Sequence, residues 1–294
     1  MQRWQAIGTV IRWPNLLFIA LTQALSWFCL VKPVLPVEVA IPFHQSILIL
    51  ATVLIAAAGY MINDYFDWQI DSINKPERVV IGKLLSRRVI MLCHITLNAL
   101  AVCMVYFAFR NYGSTRLLLW QVSSIVLLWF YSTTYKRRLL IGNIVVACMT
   151  TLTVALPALF EPQWSLLPIA LKGRWIAYGV FAFLVTLIRE IVKDIEDIKG
   201  DSSQGCLTLP LVWGVNKARY LVDGLWGLMI IGLALMLYWF QTSNVLEYTA
   251  YALLLVPIPY LIARLHRAKT TVDFAQVSRE IKIYTLLGIL SMLL

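Results

Sequence analysis

Nine stretches of this chain are apolar over roughly the 20 residues that an α-helix needs to cross the hydrocarbon of a bilayer. They lie near 15 to 35, 43 to 64, 88 to 109, 115 to 133, 140 to 160, 174 to 193, 217 to 239, 246 to 264 and 280 to 294, with polar residues gathered between them. The pattern predicts an all-α polytopic membrane protein: one domain over 1–294, built as a single bundle of about nine transmembrane helices around a central cavity. Arg3 and Arg12 precede the first apolar run as they would in a signal peptide. That run is long, lacks a clear small-residue cleavage site and is followed by more spans, so it reads as the first membrane helix. Residues 206 to 216 are apolar but interrupted by Pro210 and Gly214, and read as an interfacial approach to the seventh span.

Composition sharpens this picture. Of 294 residues, 60% are hydrophobic and 14% charged, against about 25% charged in an ordinary soluble domain, which excludes a soluble enzyme. The formal net charge of +10 would suit a nucleic-acid partner, but no stretch joins basic residues to a soluble binding module. We read it first as a topology signal. With a cytoplasmic N-terminus, 20 of the 25 Lys and Arg residues fall on that side, leaving Lys32, Arg110, Arg116, Lys172 and Arg174 opposite. Cytoplasmic loops are enriched in Lys and Arg. The charge thus predicts a multi-pass protein of the inner or plasma membrane, its cavity open to the cytoplasm, with no nucleic acid and no obligate protein partner implied. Cys29, Cys93, Cys103, Cys148 and Cys206 show no CxxC spacing and His44, His94 and His266 lie far apart, so neither disulfides nor a zinc site is indicated.

The acids carry the chemistry. Nine of the fifteen fall in two windows, Asn63 to Asp71 with nearby Glu77, and Arg189 to Asp201. Asp64, Asp67 and Asp71 stand at i, i+3 and i+7, and so do Asp194, Asp197 and Asp201, 130 residues further on. At about 100° per residue, each triplet spans an arc of about 60° and projects from one helix face. A solvated helix end with ordinary ion pairs explains one such triplet; two matched triplets on the same membrane side call for cations between them. Hard oxygen ligands without His or Cys suit Mg²⁺, which commonly bridges carboxylates to phosphates. A greasy chamber with two acidic walls therefore suggests a diphosphate ester with an apolar tail.

These residues resemble a known family. Asn63 to Asp71, NDYFDWQID, matches the NDxxDxxxD signature of the UbiA-type intramembrane prenyltransferases, and DIKGD, Asp197 to Asp201, supplies a second DxxxD, with Asp194 as an additional upstream acid. Arg12-Trp13-Pro14-Asn15 is similar to the RPxN that opens the family's first helix. The run from Tyr131 to Arg137, followed by Gly142-Asn143, resembles its Tyr-rich stretch ending in Lys-Arg and then Gly-Asn. The resemblance covers residues 12 to about 201. It implies Mg²⁺-dependent transfer of a prenyl group from an allylic diphosphate. Asp67, Asp71, Asp197 and Asp201 would hold the metal, Asp64 and Asp194 would assist them, and Asn63 would orient a ligand or water. Lys136, Arg137 and Lys193 would meet the leaving diphosphate. Arg12, Asn15 and Asn143 would line the substrate site, and Tyr65 or Tyr131 would steady the allylic cation. The loops near 72–87 and 202–216 would cap the cavity.

Within that family, REIVKDIEDIKGD most resembles the subgroup that attaches a second geranylgeranyl group to geranylgeranylglyceryl phosphate, an ether-lipid precursor. The chain departs from that subgroup at Asn74-Lys75-Pro76, which continues Glu77-Arg78-Val79-Val80 where Pro-Ser-Gly usually follows. A lipid or an aromatic, quinone-type acceptor therefore both stay open, with membrane lipids as surroundings. A cation-coupled transporter is the reading of another class; its acids would sit at the membrane midplane, on helices broken by Gly or Pro.

Overall fold

The computed structural model describes residues 3–35, 42–74, 76, 79–110, 115–239 and 245–294. Lys75, Glu77 and Arg78, in the first predicted cap loop, lie outside them. The described chain is helical, with no strand beyond a bridge between Ile81 and Leu85. A lone segment inside a bilayer has no water for its backbone, and a helix satisfies every peptide group internally.

A short α1 (Arg3–Ile11) leads into α2 (Trp13–Leu25). The apolar run then continues through a π-turn (Ser26–Val31) and a 3₁₀ turn (Lys32–Val34). Arg12 between α1 and α2 is left-handed, at φ 53°, and Pro14 stands in the first turn of α2, where its missing N–H costs nothing. α3 (Pro42–Asn74) runs 33 residues without a break, ten beyond the predicted span limit of 64. α4 (Arg87–Phe109), α5 (Thr115–Thr133), α6 (Ile141–Leu159) and α7 (Gly173–Glu196) match the predicted third to sixth spans. The second acidic window runs on into α8 (Ile198–Ser203), and the interfacial approach at 206 to 216 contains α9 (Leu209–Trp213), with Pro210 in the first turn of α9 rather than interrupting a helix. α10 (Val215–Trp239) follows. The predicted eighth span divides into α11 (Val245–Leu255) and α12 (Pro257–Arg267), because Pro257 lacks the N–H that a continuous helix needs.

α13 (Thr271–Leu290) starts nine residues before the predicted last span, opened by a capping box between Thr270 and Asp273. Among the described residues seven helices are long and apolar enough to cross a membrane, and Leu117–Thr133 is a shorter apolar helix. α13 is not among the seven because its N-terminal part carries Asp273, Arg279, Glu280 and Lys282.

α7 lies at the centre, packed against α6, α10 and α13, with Val185, Ile188, Ile191 and Val192 fully buried. α3 packs on α4, α5 and α2, and its end meets α8. Outward-facing Leu92, Ile95, Phe107, Leu119, Ile231 and Leu235 are exposed, as an apolar lipid-facing surface requires. The molecule is an integral membrane protein whose described residues form a helical bundle.

Candidate active site

The two acidic windows lie on α3 and on the α7–α8 junction. α3 is continuous through Asn74, so Asp64, Asp67 and Asp71 share one face as their spacing predicts. The second window bends. α7 closes at Glu196, Asp197 takes φ −93° and ψ 6°, and α8 begins at Ile198. Backbone bonds from Asp197 N to Lys193 O at 2.8 Å and from Asp201 N to Asp197 O at 3.1 Å carry the helical path across that bend.

Asn74, at the C-terminal end of α3, ties the windows together. Its Nδ2 donates to the Asp197 carbonyl at 3.1 Å, and its Oδ1 accepts from Gly200 N at 2.9 Å. A Cβ on Gly200 would stand 2.4 Å from Asn74 Nδ2, so this contact requires glycine. Asn74 was not among the predicted site residues; the one signal in the sequence is its place three residues after Asp71.

Lys136 occupies the space between the walls. It sits in a 3₁₀ turn (Tyr135–Arg137) and its ammonium pairs with the Asp67 carboxylate. Asp201, Asp64 and Cys206 lie within electrostatic range. Burial, with Arg137 beside it, pushes Lys136 down to about 7. Burial, with Asp197 beside it, pushes Asp201 up to about 6. Both shifts report a partly dry pocket in which like charges crowd. The turn is held on α6 by close packing: a Cβ on Gly142 would lie 2.6 Å from the Lys136 Cα. Leu140, at φ 57°, reverses the chain between them. Leu207 N in the second predicted cap loop donates to Arg137 O at 2.8 Å.

The other predicted residues gather at the same end. Asn143 Nδ2 donates to Asp194 Oδ2 at 2.9 Å. Arg12 Nη2 bonds Asp64 Oδ1 at 2.7 Å, and its guanidinium lies 5.0 Å over the Tyr60 ring. Asn15 Oδ1 accepts from Lys282 Nζ at 2.6 Å. Tyr131 lies within electrostatic range of Glu190, Asp194, Arg12 and Asp201. Tyr65 is less central, its ring face covered by Arg87 at 4.8 Å. Lys193 donates to both oxygens of Glu190, at 3.0 and 2.8 Å, and Arg189 adds a bond at 3.2 Å. Glu190 and Lys282 were not singled out from the sequence; Glu190 stands one turn before Asp194 on the same face, whereas nothing in the spacing of Lys282 marks it.

Among the described residues no three Asp, Glu, His or Cys side chains converge closely enough to cage an ion. The donors are mostly carboxylate oxygens, and the buried Oδ1 of Asn63 has no hydrogen-bond partner.

Known proteins share both sequence and shape with this chain. A protein of Thermococcus sibiricus named digeranylgeranylglyceryl phosphate synthase is 34% identical over 178 residues, 60% of this chain and 59% of that one, so the aligned part spans about three fifths of that relative. A protein of the same name from Pyrococcus abyssi is 30% identical over 250 residues, 85% of this chain and 83% of its own. A solved structure concerned with digeranylgeranylglyceryl phosphate synthase in membranes superposes with a TM-score of 0.70 at 21% identity, covering 99% of this chain and 98% of that one. A UbiA homologue from Archaeoglobus fulgidus, solved with DMAPP and Mg²⁺, gives 0.61 at 16% identity, covering 96% and 98%. The features of the UbiA prenyltransferase family match residues 25–286, nearly the whole helical array and both acidic windows. The chain belongs to the UbiA prenyltransferase family.

Proposed function

We propose that this protein transfers a geranylgeranyl group from its allylic diphosphate to the free hydroxyl of geranylgeranylglyceryl phosphate. The observation that carries the reading is the junction of two carboxylate walls, joined by Asn74 and bridged by Lys136. The names of the Thermococcus and Pyrococcus relatives support this acceptor, as does the form of the second motif.

Asp67, Asp71, Asp197 and Asp201 would hold Mg²⁺, the ion bound together with DMAPP in the A. fulgidus homologue. When bound, the metal neutralises charge on the departing diphosphate. Lys136 donates hydrogen bonds to the same diphosphate oxygens, with Arg137 adding positive charge at the turn, and the developing charge is met by groups already in place. The C1–O bond to diphosphate breaks and leaves an allylic cation, close to the Tyr131 ring. The acceptor oxygen then bonds to C1, its proton passes to solvent or to the released diphosphate, and the products are the ether and diphosphate. Asp64 and Asp194 stay fixed by Arg12 and Asn143. They keep the two walls in register.

The prenyl chain lies among apolar helix faces, which accounts for a membrane location. Val80 and Ile81 pack with Ala6, Val10, Met61 and Ile90, and with the Leu207–Arg137 bond they support the two loops as caps that keep water from the cation. The Lys and Arg distribution supports a cytoplasmic N-terminus and a site opening on that side. The whole chain forms one domain on this reading. The test is to incubate purified protein with geranylgeranyl diphosphate and a panel of acceptors, with products identified by mass spectrometry. The expected product is the digeranylgeranyl ether phosphate, formed only with Mg²⁺; exclusive prenylation of an aromatic acceptor overturns the acceptor assignment, and ion flux without any product overturns the enzyme.

A further inference from the structure

α13 carries a cation that the proposed reaction leaves unused. Lys282 stands about three turns into the helix, half-buried, with its ammonium 2.6 Å from the Asn15 amide oxygen and 5.0 Å over the Phe18 ring. Neither partner carries a negative charge. A charge facing the interior of a membrane bundle is costly, and cations placed there usually serve a ligand. Arg189 lies within electrostatic range of Lys282. Its Nε reaches the Ser278 carbonyl at 3.4 Å, one turn before Lys282 on α13.

The direct pairings leave positive charge over. Arg12 is matched by Asp64. Glu190 is shared between Arg189 and Lys193, and among the described residues Lys282 meets a neutral amide and a ring. These four cations thus share two directly bonded carboxylates, an excess of two positive charges. A phosphate monoester carries about −1.5 to −2 at neutral pH and three acceptor oxygens. The Mg²⁺ and diphosphate chemistry proposed above sits with Lys136 and the two triplets. This second cluster involves α2, α7 and α13, and its only shared elements with the first are α7 and the Arg12–Asp64 pair.

We propose that Lys282 and Arg189, held by Asn15 and Glu190, form the subsite for the acceptor's phosphate monoester and select phosphorylated over unphosphorylated acceptors. The inference rests on the reading of the acceptor given above. Both side chains donate charge-assisted hydrogen bonds to the phosphate oxygens, which fixes the acceptor's polar end and leaves its hydroxyl to face the allylic carbon.

The test compares the full-length wild type with Lys282→Met, Lys282→Gln, Lys282→Arg and Arg189→Gln. Two measurements are made in detergent: equilibrium binding of geranylgeranylglyceryl phosphate, and transfer kinetics with that acceptor and with geranylgeranylglycerol. Removing one charged donor is expected to raise Kd and KM for the phosphorylated acceptor by about tenfold or more. The KM for geranylgeranyl diphosphate should stay at the wild-type value, the preference for the phosphorylated acceptor should fall, and Lys282→Arg should retain most of it. Lys282→Gln still reaches Asn15 and separates the charge from mere packing. Unchanged binding of the phosphorylated acceptor in the Lys282 and Arg189 variants, or equal weakening toward both acceptors, overturns the subsite. If wild type binds geranylgeranylglyceryl phosphate through Lys282 yet transfers nothing to it, the reaction reading fails and the subsite stands. If wild type transfers normally and the variants do too, the subsite fails and the reaction stands; if wild type neither binds nor transfers, both fail.

Discussion

Arg12 and Leu140 are the non-glycine residues with positive φ among the described chain, and each immediately precedes a helix that carries site residues. A left-handed backbone is uncommon for such residues and is retained where the surroundings over-determine it. Arg12 turns α1 away from α2 and delivers its guanidinium to Asp64; Leu140 turns the Lys136 segment back onto α6. Asp201 adds a titration to this geometry. Burial first, and Asp197 second, raise it to about 6, and on the reading proposed above Mg²⁺ would be held by its deprotonated form. Metal affinity should therefore rise as pH rises through about 6, with protons released on binding at the lower end. Calorimetric Mg²⁺ titrations on either side of that value check this, and Asp201→Asn should both weaken binding and remove the step near 6. At this scale the sequence exposed the aspartates because helical periodicity aligns them. It did not expose Asn74 or Glu190, whose roles depend on partners 123 residues away or on neighbouring cations packed by the fold.

The α3 and α7–α8 elements look alike in sequence and differ in shape. α3 is unbroken through its triplet, whereas the second helix is interrupted at Asp197, and Gly200 beyond the break approaches Asn74. That approach makes a sharp prediction. Alanine exceeds glycine in helix propensity by about 1 kcal/mol, so Gly200→Ala should leave or raise helix content. Its Cβ would nevertheless stand 2.4 Å from the Asn74 amide, displacing it from the Asp197 and Gly200 backbone that it joins to α3. A misplacement near 1 Å can cost on the order of a hundredfold in rate. Transfer by Gly200→Ala should fall on that scale while circular dichroism stays unchanged, and a rate equal to wild type would show that Asn74 does not set the spacing. Span positions were legible because hydropathy over about 20 residues is a strong signal. The division at Pro257 and the early start of α13 were less so: a proline can kink or end a helix, and a charged helix beginning does not read as a span.

Across the whole molecule, the charged minority sorts into two functions. On the reading proposed above most bases would set orientation, and most acids gather in the two windows, where the fold brings together Arg12, Asp64, Asp67, Tyr131, Asn143 and Asp194. Residues distant in the chain meet there because α7, the most enclosed helix, packs against α6, α10 and α13. Lys282 joins that end through α13, a helix whose charges lower its hydropathy. The central claim is that the two acidic walls act together on a Mg²⁺-bound allylic diphosphate. Its most direct test is Mg²⁺-dependent prenyl transfer by purified Asp67→Ala and Asp197→Ala, with folding checked by thermal denaturation. Each substitution should lower the rate on the order of a hundredfold or more while the protein remains folded. Near-normal Mg²⁺-dependent transfer in both variants would contradict the account.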